Sequence, residues 1–121
     1  MTSPYKGKTG LRRVRNALFY SLDGLKAAYR HEAAFRQEVW LALVLLPAAF
    51  MLPADSQGKA LMAGSVLLVL VVELLNSAVE AVVDRVSPEH HDLAKRAKDM
   101  GSAAVLLSLV NLAGVWLLVL I

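Results

Sequence analysis

Three long stretches of this sequence carry almost no charge, and this feature limits the folds that the chain can adopt. Residues 39–54 and 100–121 have no charged side chain, and residues 60–79 have only Glu73. A helix rises about 1.5 Å per residue, so about 20 residues cross a hydrocarbon core of about 30 Å. With 57% hydrophobic residues and a mean hydropathy of +0.53, the chain is too apolar for a soluble domain of this size. We therefore predict an integral membrane protein with three helical spans.

All 121 residues are predicted to form one all-α, membrane-embedded domain. We expect the three spans at about residues 33–52, 57–84 and 100–121, joined by short turns that contain Pro, Gly and Asp. The first span has to include the helical residues before Val39, because the uncharged stretch alone is short. The turns are too short to hold a separate soluble domain, so any activity of the chain is expected at the membrane.

A surface helix is predicted ahead of the spans, at about residues 4–28. Its apolar residues recur at intervals of three and four: Leu11, Val14, Leu18, Leu22 and Leu25. Such an amphipathic helix either lies in the membrane interface or packs against the protein's own spans, and both interpretations remain open. The dipeptide Asp23-Gly24 predicts a break or kink within it.

The distribution of Lys and Arg predicts the orientation of the spans. Eight of these 13 residues precede the uncharged stretch 39–54 of the first span, four lie between the second and the third span, and Lys59 alone follows the first. Positive residues near spans are retained on the cytoplasmic side. We expect a cytoplasmic amino terminus and a cytoplasmic loop at residues 84–99. The net charge of +3 is then a topology signal, and we expect no nucleic-acid partner.

The second span ends in a polar stripe. Glu73, Asn76, Glu80 and Asp84 follow one another at offsets of 0, 3, 7 and 11 residues. At about 100° per residue these positions fall within roughly 80° of arc. Ionisable residues inside a membrane face protein or a wet cavity and usually mark function. Asn76 alone is equally compatible with packing between helices, and Asp84 is interpreted as a surface charge, but two carboxylates two turns apart would repel without a cation or a proton.

Two further segments supply complementary groups on the same side of the membrane. HEAAFRQE, at residues 31–38, places Glu32 and Arg36 on one helical face. AKRAKDMGS, at residues 94–102, brings several cations and Asp99 to the start of the third span. Mg²⁺ is held through one or two carboxylates together with substrate phosphates, and phosphoryl transfer needs little beyond metal, cations and a positioned base. The sequence therefore favours a membrane kinase, with Glu32 and Glu80 as candidate ligands of Mg²⁺.

Taken as a set, three motifs resemble those of the bacterial integral-membrane diacylglycerol kinases. The motifs are EAAFRQE at residues 32–38, VELLNSAVEAVVDR at 72–85 and AKDMGSAAV at 97–105. The resemblance covers most of the chain from about Tyr20 onward. It implies a homotrimer of three-span subunits in the bacterial inner membrane, with active sites shared between neighbouring subunits. It also implies transfer of the γ-phosphate of ATP to diacylglycerol, which gives phosphatidic acid.

The resemblance assigns roles to individual positions. Glu73 matches the catalytic base, Glu32 and Glu80 match the metal ligands, and Asn76 matches a supporting asparagine. The remaining positions match residues that contact ATP or the lipid. Those expected at ATP are Arg13, Tyr20, Glu32, Glu80, Glu89, Lys98 and Asp99. Those expected at the lipid are Ala34, Phe35, Arg36, Gln37, Glu38, Glu73 and Ser102.

Three alternatives remain open at this stage. Related three-span enzymes phosphorylate undecaprenol with much the same catalytic set, and the residues of the site do not separate the two lipids. Buried acids also line proton and cation pathways, so Glu73 and Glu80 could belong to an ion conduit. A purely structural membrane subunit would use Asn76 and Ser77 as packing contacts. The conduit leaves Lys98, Asp99 and Glu32 unexplained.

Overall fold

The computed structural model describes residues 10–86 and 91–121, which form four α-helices and contain no strand. In chain order these are α1 (Gly10–His31), α2 (Ala33–Met51), α3 (Ser56–Val86) and α4 (Asp92–Leu120). The last three helices are long and apolar enough to cross a membrane. The predicted all-α architecture with three membrane-spanning helices is thereby confirmed.

Helix α1 runs without interruption to His31 and includes Asp23 and Gly24. The break predicted at this dipeptide was therefore wrong. A glycine inside a helix costs only about 1 kcal/mol relative to alanine, so the flanking hydrogen bonds can carry the helix through it. Only one residue, Glu32, separates α1 from α2, and its backbone is extended. The Glu32 N–H donates to Ala28 O at 2.8 Å, and its carbonyl accepts from the Arg36 N–H at 3.1 Å.

Short polar contacts fix the turns between the spans. At the start of α3, the Gly58 N–H donates to Asp55 Oδ1 at 2.7 Å, which satisfies one free amide of the first turn. Lys59 Nζ donates to Phe50 O at 2.8 Å and so ties this turn to the end of α2. At the start of α4, His91 Nδ1 accepts from the Leu93 N–H at 3.0 Å. These bonds set where each helix begins.

Helix α3 is the centre of the subunit. It packs against α2 on one side and α4 on the other, while α1 contacts α2 and α3. Within the described residues, α2 and α4 do not contact each other. The small buried residues Ala42 and Ala49 of α2 allow close approach of helix backbones. Large apolar side chains on the outer faces of all the helices are exposed, as expected for surfaces that meet lipid or another chain.

A polar bond in the apolar region joins α3 to α4. Trp116 Nε1 lies 3.2 Å from Met62 O and 3.1 Å from Ser65 Oγ. The Ser65 hydroxyl in turn donates to Met62 O at 2.7 Å. Met62 and Ser65 are buried, and Ser108 is the buried residue of α4. These contacts lie about 12 to 16 Å along α3 from Glu73, at 1.5 Å per residue, and therefore belong to the scaffold that holds the polar face.

Candidate active site

The first three residues of the polar stripe of α3 face the interior of the subunit, and Asp84 at its end is exposed. Glu73 is 5% exposed and Asn76 is 8% exposed, and Glu80 one turn further on is half-buried. Asn76 Nδ2 donates to Glu80 Oε1 at 3.0 Å. This bond between positions i and i+4 follows from the helical spacing, which brings such residues onto one face. It fixes one oxygen of Glu80 and leaves the other oxygen of that carboxylate available.

A glycine of α4 makes room for the Asn76 side chain. A Cβ built on Gly101 would overlap Asn76 Oδ1 and would lie 3.1 Å from its Cγ. Asn76 Oδ1 is itself buried and has no hydrogen-bond partner among the described residues. Asn76 is therefore held between Glu80 on its own helix and the bare backbone of α4. The sequence offered Gly101 only as a small residue near the mouth of the span, and its contact with Asn76 depends on the register of two helices.

Three carboxylates, from α2, α3 and the α1–α2 junction, interact with that of Glu73. Electrostatic repulsion couples Glu73 with Glu80 of α3 and with Glu32 at the α1–α2 junction. It also couples Glu73 with Glu38 of α2. One oxygen of Glu38 is buried and unpaired among the residues described. The structure therefore brings together the predicted base, both predicted metal ligands and one residue predicted at the lipid.

The cations of α4 are paired across and along the helices. Lys98 Nζ forms an ion pair with Asp84 Oδ1 of α3 and interacts electrostatically with Glu80. Lys95 Nζ lies 2.6 Å from Asp99 Oδ2, one turn along α4. The interpretation of Asp84 as a plain surface charge missed its contact with Lys98. A stripe on one helix contains no information about which residue of a neighbouring helix lies opposite.

The segment of α2 predicted to contact lipid divides between its two faces. Phe35 is buried at 3% exposure, whereas Ala34 and Gln37 are exposed. Arg36 Nη1 donates to Tyr29 O at 2.8 Å and to Arg30 O at 3.0 Å, so it satisfies carbonyls at the end of α1. The segment therefore contributes to packing, to the α1–α2 junction and to the exposed surface.

Three further predicted residues, Ser102, Arg13 and Tyr20, lie outside the carboxylate group. Ser102, one residue after Gly101 on α4, is exposed. Arg13 and Tyr20 lie on α1 with exposed side chains, about 28 and 18 Å from Glu32 along the helix axis at 1.5 Å per residue. Glu89 lies outside the described residues. A single chain thus brings the carboxylates and Lys98 together. Arg13 of the same chain lies far from them along α1.

An open groove of about 770 Å³ runs beside the site between α1 and α3. Its walls are mainly apolar and small, and Glu32 lies in its lining. Residues from Ser21 to Ala28 form one wall, and residues from Leu74 to Ala81 form the other. A carboxylate in the wall of an apolar groove suits an amphiphilic molecule with one polar end.

Comparison with known proteins gives a consistent result. Residues 19–120 match the family model described as prokaryotic diacylglycerol kinase. This chain belongs to the prokaryotic diacylglycerol kinase family. It is 56% identical to a diacylglycerol kinase of Pseudomonas aeruginosa over 119 residues, which cover 98% of this chain and 97% of that protein. It is 51% identical to the Haemophilus influenzae diacylglycerol kinase, over 89% and 92% of the two chains. It is 48% identical to the Escherichia coli diacylglycerol kinase, over 93% and 92%.

The region shared with the prokaryotic diacylglycerol kinase family contains the whole carboxylate group. Tyr20, the α2 segment, the α3 stripe and Lys98 all fall within residues 19–120, whereas Arg13 precedes them. The resemblance stated from the three motifs is confirmed. Family membership also makes this chain a multi-pass membrane protein of a prokaryotic kinase family, in agreement with its three apolar helices.

Proposed function

We propose that this protein transfers the γ-phosphate of ATP to the primary hydroxyl of diacylglycerol, giving phosphatidic acid. The observation that carries the proposal is the burial of Glu73 beside three other carboxylates. The chain that presents this group belongs to the prokaryotic diacylglycerol kinase family. Glu73 lies 17 residues after the start of α3 at Ser56, or about 25 Å along the helix. That length nearly crosses a hydrocarbon core, so Glu73 would lie close to the level at which a lipid glycerol meets water.

Glu73 is proposed as the general base. In the reaction, the O–H bond of the lipid hydroxyl breaks and its proton passes to the Glu73 carboxylate. The freed oxygen forms a bond to the γ-phosphorus, the bond from that phosphorus to the ADP oxygen breaks, and ADP leaves. Burial of Glu73 keeps bulk water away from the proton acceptor.

Glu32 and Glu80 are the residues that would hold Mg²⁺. Their carboxylate oxygens are the donors that this ion prefers, and Glu32 makes no capping hydrogen bond. Within residues 10–86 and 91–121, no three His, Cys, Asp or Glu side chains converge on a single metal position. A site of two carboxylates would be completed by phosphate oxygens of the nucleotide and by water. When bound, Mg²⁺ would neutralise charge that develops on the transferred phosphoryl group.

The nucleotide is proposed to bind beside Lys98. Its ammonium group lies near Glu80, where it would contact phosphate oxygens that also reach the metal. Asp99 on the same helix, with Arg13, Tyr20 and Glu89 on other segments, completes the proposed ATP-binding set. Asn76 supports the site by holding one oxygen of Glu80 in place.

The lipid is proposed to approach from the membrane side of Glu73. Residues 34–38 and Ser102 would contact it, and the unpaired oxygen of Glu38 is available to a hydroxyl of the glycerol. Undecaprenol remains the alternative acceptor, since it also presents one primary hydroxyl on an apolar chain. The ion-conduit and structural alternatives receive less support, because family membership favours an enzyme.

The functional unit is proposed to be a homotrimer in the bacterial inner membrane with shared active sites. The exposed apolar faces of α2 and α4 could accommodate neighbouring copies as well as lipid. Arg13 lies far from the carboxylates of its own chain, and in a trimer it could reach the ATP site of a neighbouring subunit. The amphipathic α1 is proposed to lie at the cytoplasmic surface. The excess of positive residues on that side supports this orientation.

The test is transfer of labelled γ-phosphate from ATP by the purified protein in mixed micelles. Diacylglycerol and undecaprenol are supplied in parallel, each with and without Mg²⁺. We expect labelled phosphatidic acid that depends on Mg²⁺, and faster transfer to diacylglycerol than to undecaprenol. In sealed vesicles, external ATP should be used only when the cytoplasmic face is outermost. Preferential labelling of undecaprenol would show that this lipid, and not diacylglycerol, is the acceptor. No transfer to either lipid would reject the kinase proposal.

Glu73→Gln tests the base. Glutamine keeps the size and can hydrogen-bond, but it cannot accept the proton, so we expect turnover to fall by about 10² to 10⁴. The unfolding midpoint should stay close to that of the wild type, because the substitution removes one of four mutually repelling carboxylates and keeps the size of the side chain. Near-normal turnover of Glu73→Gln would show that another group takes the proton.

A further inference from the structure

The ion pair between α3 and α4 lies at the edge of the proposed nucleotide site. Lys98 Nζ contacts Asp84 Oδ1, and the two side chains are 44% and 62% exposed. Exposed ion pairs contribute little to folding stability because water screens them. A stabilising role therefore gives a poor account of this contact, and its position suggests a different one.

Lys98 lies near the carboxylate of Glu80, a proposed ligand of Mg²⁺. It interacts electrostatically with Glu80 as well as with Asp84, and Glu80 is fixed by Asn76. Glu80 and Asp84 are one turn apart on α3, so they share a face. The Lys98 side chain thus crosses from α4 to the face of α3 that carries the proposed metal ligand.

We propose that Asp84 is a positioning residue for Lys98, holding its ammonium group beside Glu80 where the phosphates of ATP bind. This inference rests on the proposed function, in which Lys98 contacts ATP. An ammonium group has three N–H donors, and the pair with Asp84 occupies one of them. Phosphate oxygens can therefore be bound without breaking the pair. A free lysine side chain has many rotamers, and the pair restricts them before the nucleotide arrives.

The proposal makes a prediction whose sign opposes that of simple electrostatics. Asp84 is negatively charged and lies near the proposed binding site of a polyanion, so charge alone predicts tighter ATP binding when Asp84 is removed. Positioning predicts weaker binding, because Lys98 loses its orientation. We expect Asp84→Ala to raise KM for ATP by about 1.5-fold to fivefold, the range that one exposed ion pair contributes.

The experiment measures KM and kcat for ATP and for lipid in micelles, together with the unfolding midpoint of each variant. Asp84→Ala should raise KM for ATP and leave KM for lipid unchanged, and Asp84→Glu should restore most of the affinity. Asp92→Ala is the matched control. Asp92 is an exposed acid in the first turn of α4 and makes no ion pair with the described residues. Its removal should leave KM for ATP unchanged or slightly lower.

Equilibrium dialysis with labelled ATP completes the test, because it needs no turnover. In a Lys98→Met background, Asp84→Ala should have no further effect on ATP binding. An equal loss of affinity in both backgrounds would show that Asp84 acts without Lys98 and would overturn the inference. If Asp84→Ala folds poorly, Asp84→Asn keeps the shape of the side chain, and it should shift KM in the same direction by a smaller factor.

The outcomes separate the two proposals. A wild-type protein that transfers no phosphate to lipid rejects the proposed function and this inference with it. An active wild type whose KM for ATP is unchanged or lower in Asp84→Ala rejects the inference alone. A raised KM with an unchanged unfolding midpoint and rescue by Asp84→Glu supports it.

Discussion

The close approach of Gly101 to Asn76 gives a quantitative test of the site. In Gly101→Ala the new Cβ would overlap Asn76 Oδ1, and Asn76 is 8% exposed and has little room to move. Overpacking of this kind costs about 1 to 3 kcal/mol. Displacement of Asn76 from Glu80 adds about 0.5 to 1.5 kcal/mol. Alanine regains about 1 kcal/mol of helix propensity, so the net destabilisation should be about 0.5 to 3.5 kcal/mol.

Gly114→Ala is the matched control on the same helix. A Cβ at Gly114 meets no atom within 4 Å in the subunit, so only the helix-propensity gain applies and the variant should be as stable as the wild type or slightly more stable. Both variants are compared by the midpoint of thermal unfolding in micelles at one scan rate, because unfolding of membrane proteins is often irreversible and the midpoint then depends on the rate.

Turnover provides a second measurement on the same two variants. Gly101→Ala should lower kcat, because a displaced Asn76 no longer holds Glu80, whereas Gly114→Ala should keep wild-type turnover. Equal midpoints and equal turnover for the two variants would refute the argument, since they would show that Asn76 does not lie against the α4 backbone.

Two further predictions concern the scaffold and the assembly. Trp116→Phe removes the indole donor to Met62 O and Ser65 Oγ, which should cost about 0.6 to 1.7 kcal/mol while kcat stays unchanged. A loss of turnover at unchanged stability would contradict the scaffold role of Trp116. Chemical cross-linking in native membranes should trap species of up to three chains, and a ladder that stops at one or two chains would contradict the proposed trimer.

The elements of the fold could be predicted well because their signals are local. A charge-free stretch such as residues 100–121 specifies a spanning helix without reference to any other segment. The shared face of Glu73, Asn76 and Glu80 likewise follows from helical spacing alone, and the structure agrees on their common side. The continuity of α1 through Gly24 was missed, because a Gly beside an Asp is a weak breaker when hydrogen bonds on both sides persist.

Contacts between helices could not be predicted in the same way. The pairing of Lys98 with Asp84 and the fit of Asn76 against Gly101 depend on how far α4 has slid along α3. That register is decided by many small packing contacts and by hydrogen bonds such as those of Trp116. None of these contacts produces a periodic pattern in the sequence. The shared face of Glu73, Asn76 and Glu80 could therefore be predicted, whereas the sequence placed Glu32 on a helical face with Arg36 and the structure has it extended between α1 and α2. Partners across the helix interfaces became visible only in the structure.

The single extended residue between α1 and α2 links the shape of the subunit to its chemistry. The backbone of Glu32 sets the direction in which α1 leaves the membrane spans, and the side chain of the same residue belongs to the carboxylate group around Glu73. A rotation of α1 about this joint changes the backbone to which that carboxylate is attached. With α1 at the membrane surface, as proposed, a bilayer deformation that tilts this helix would also shift Glu32 within the acidic group.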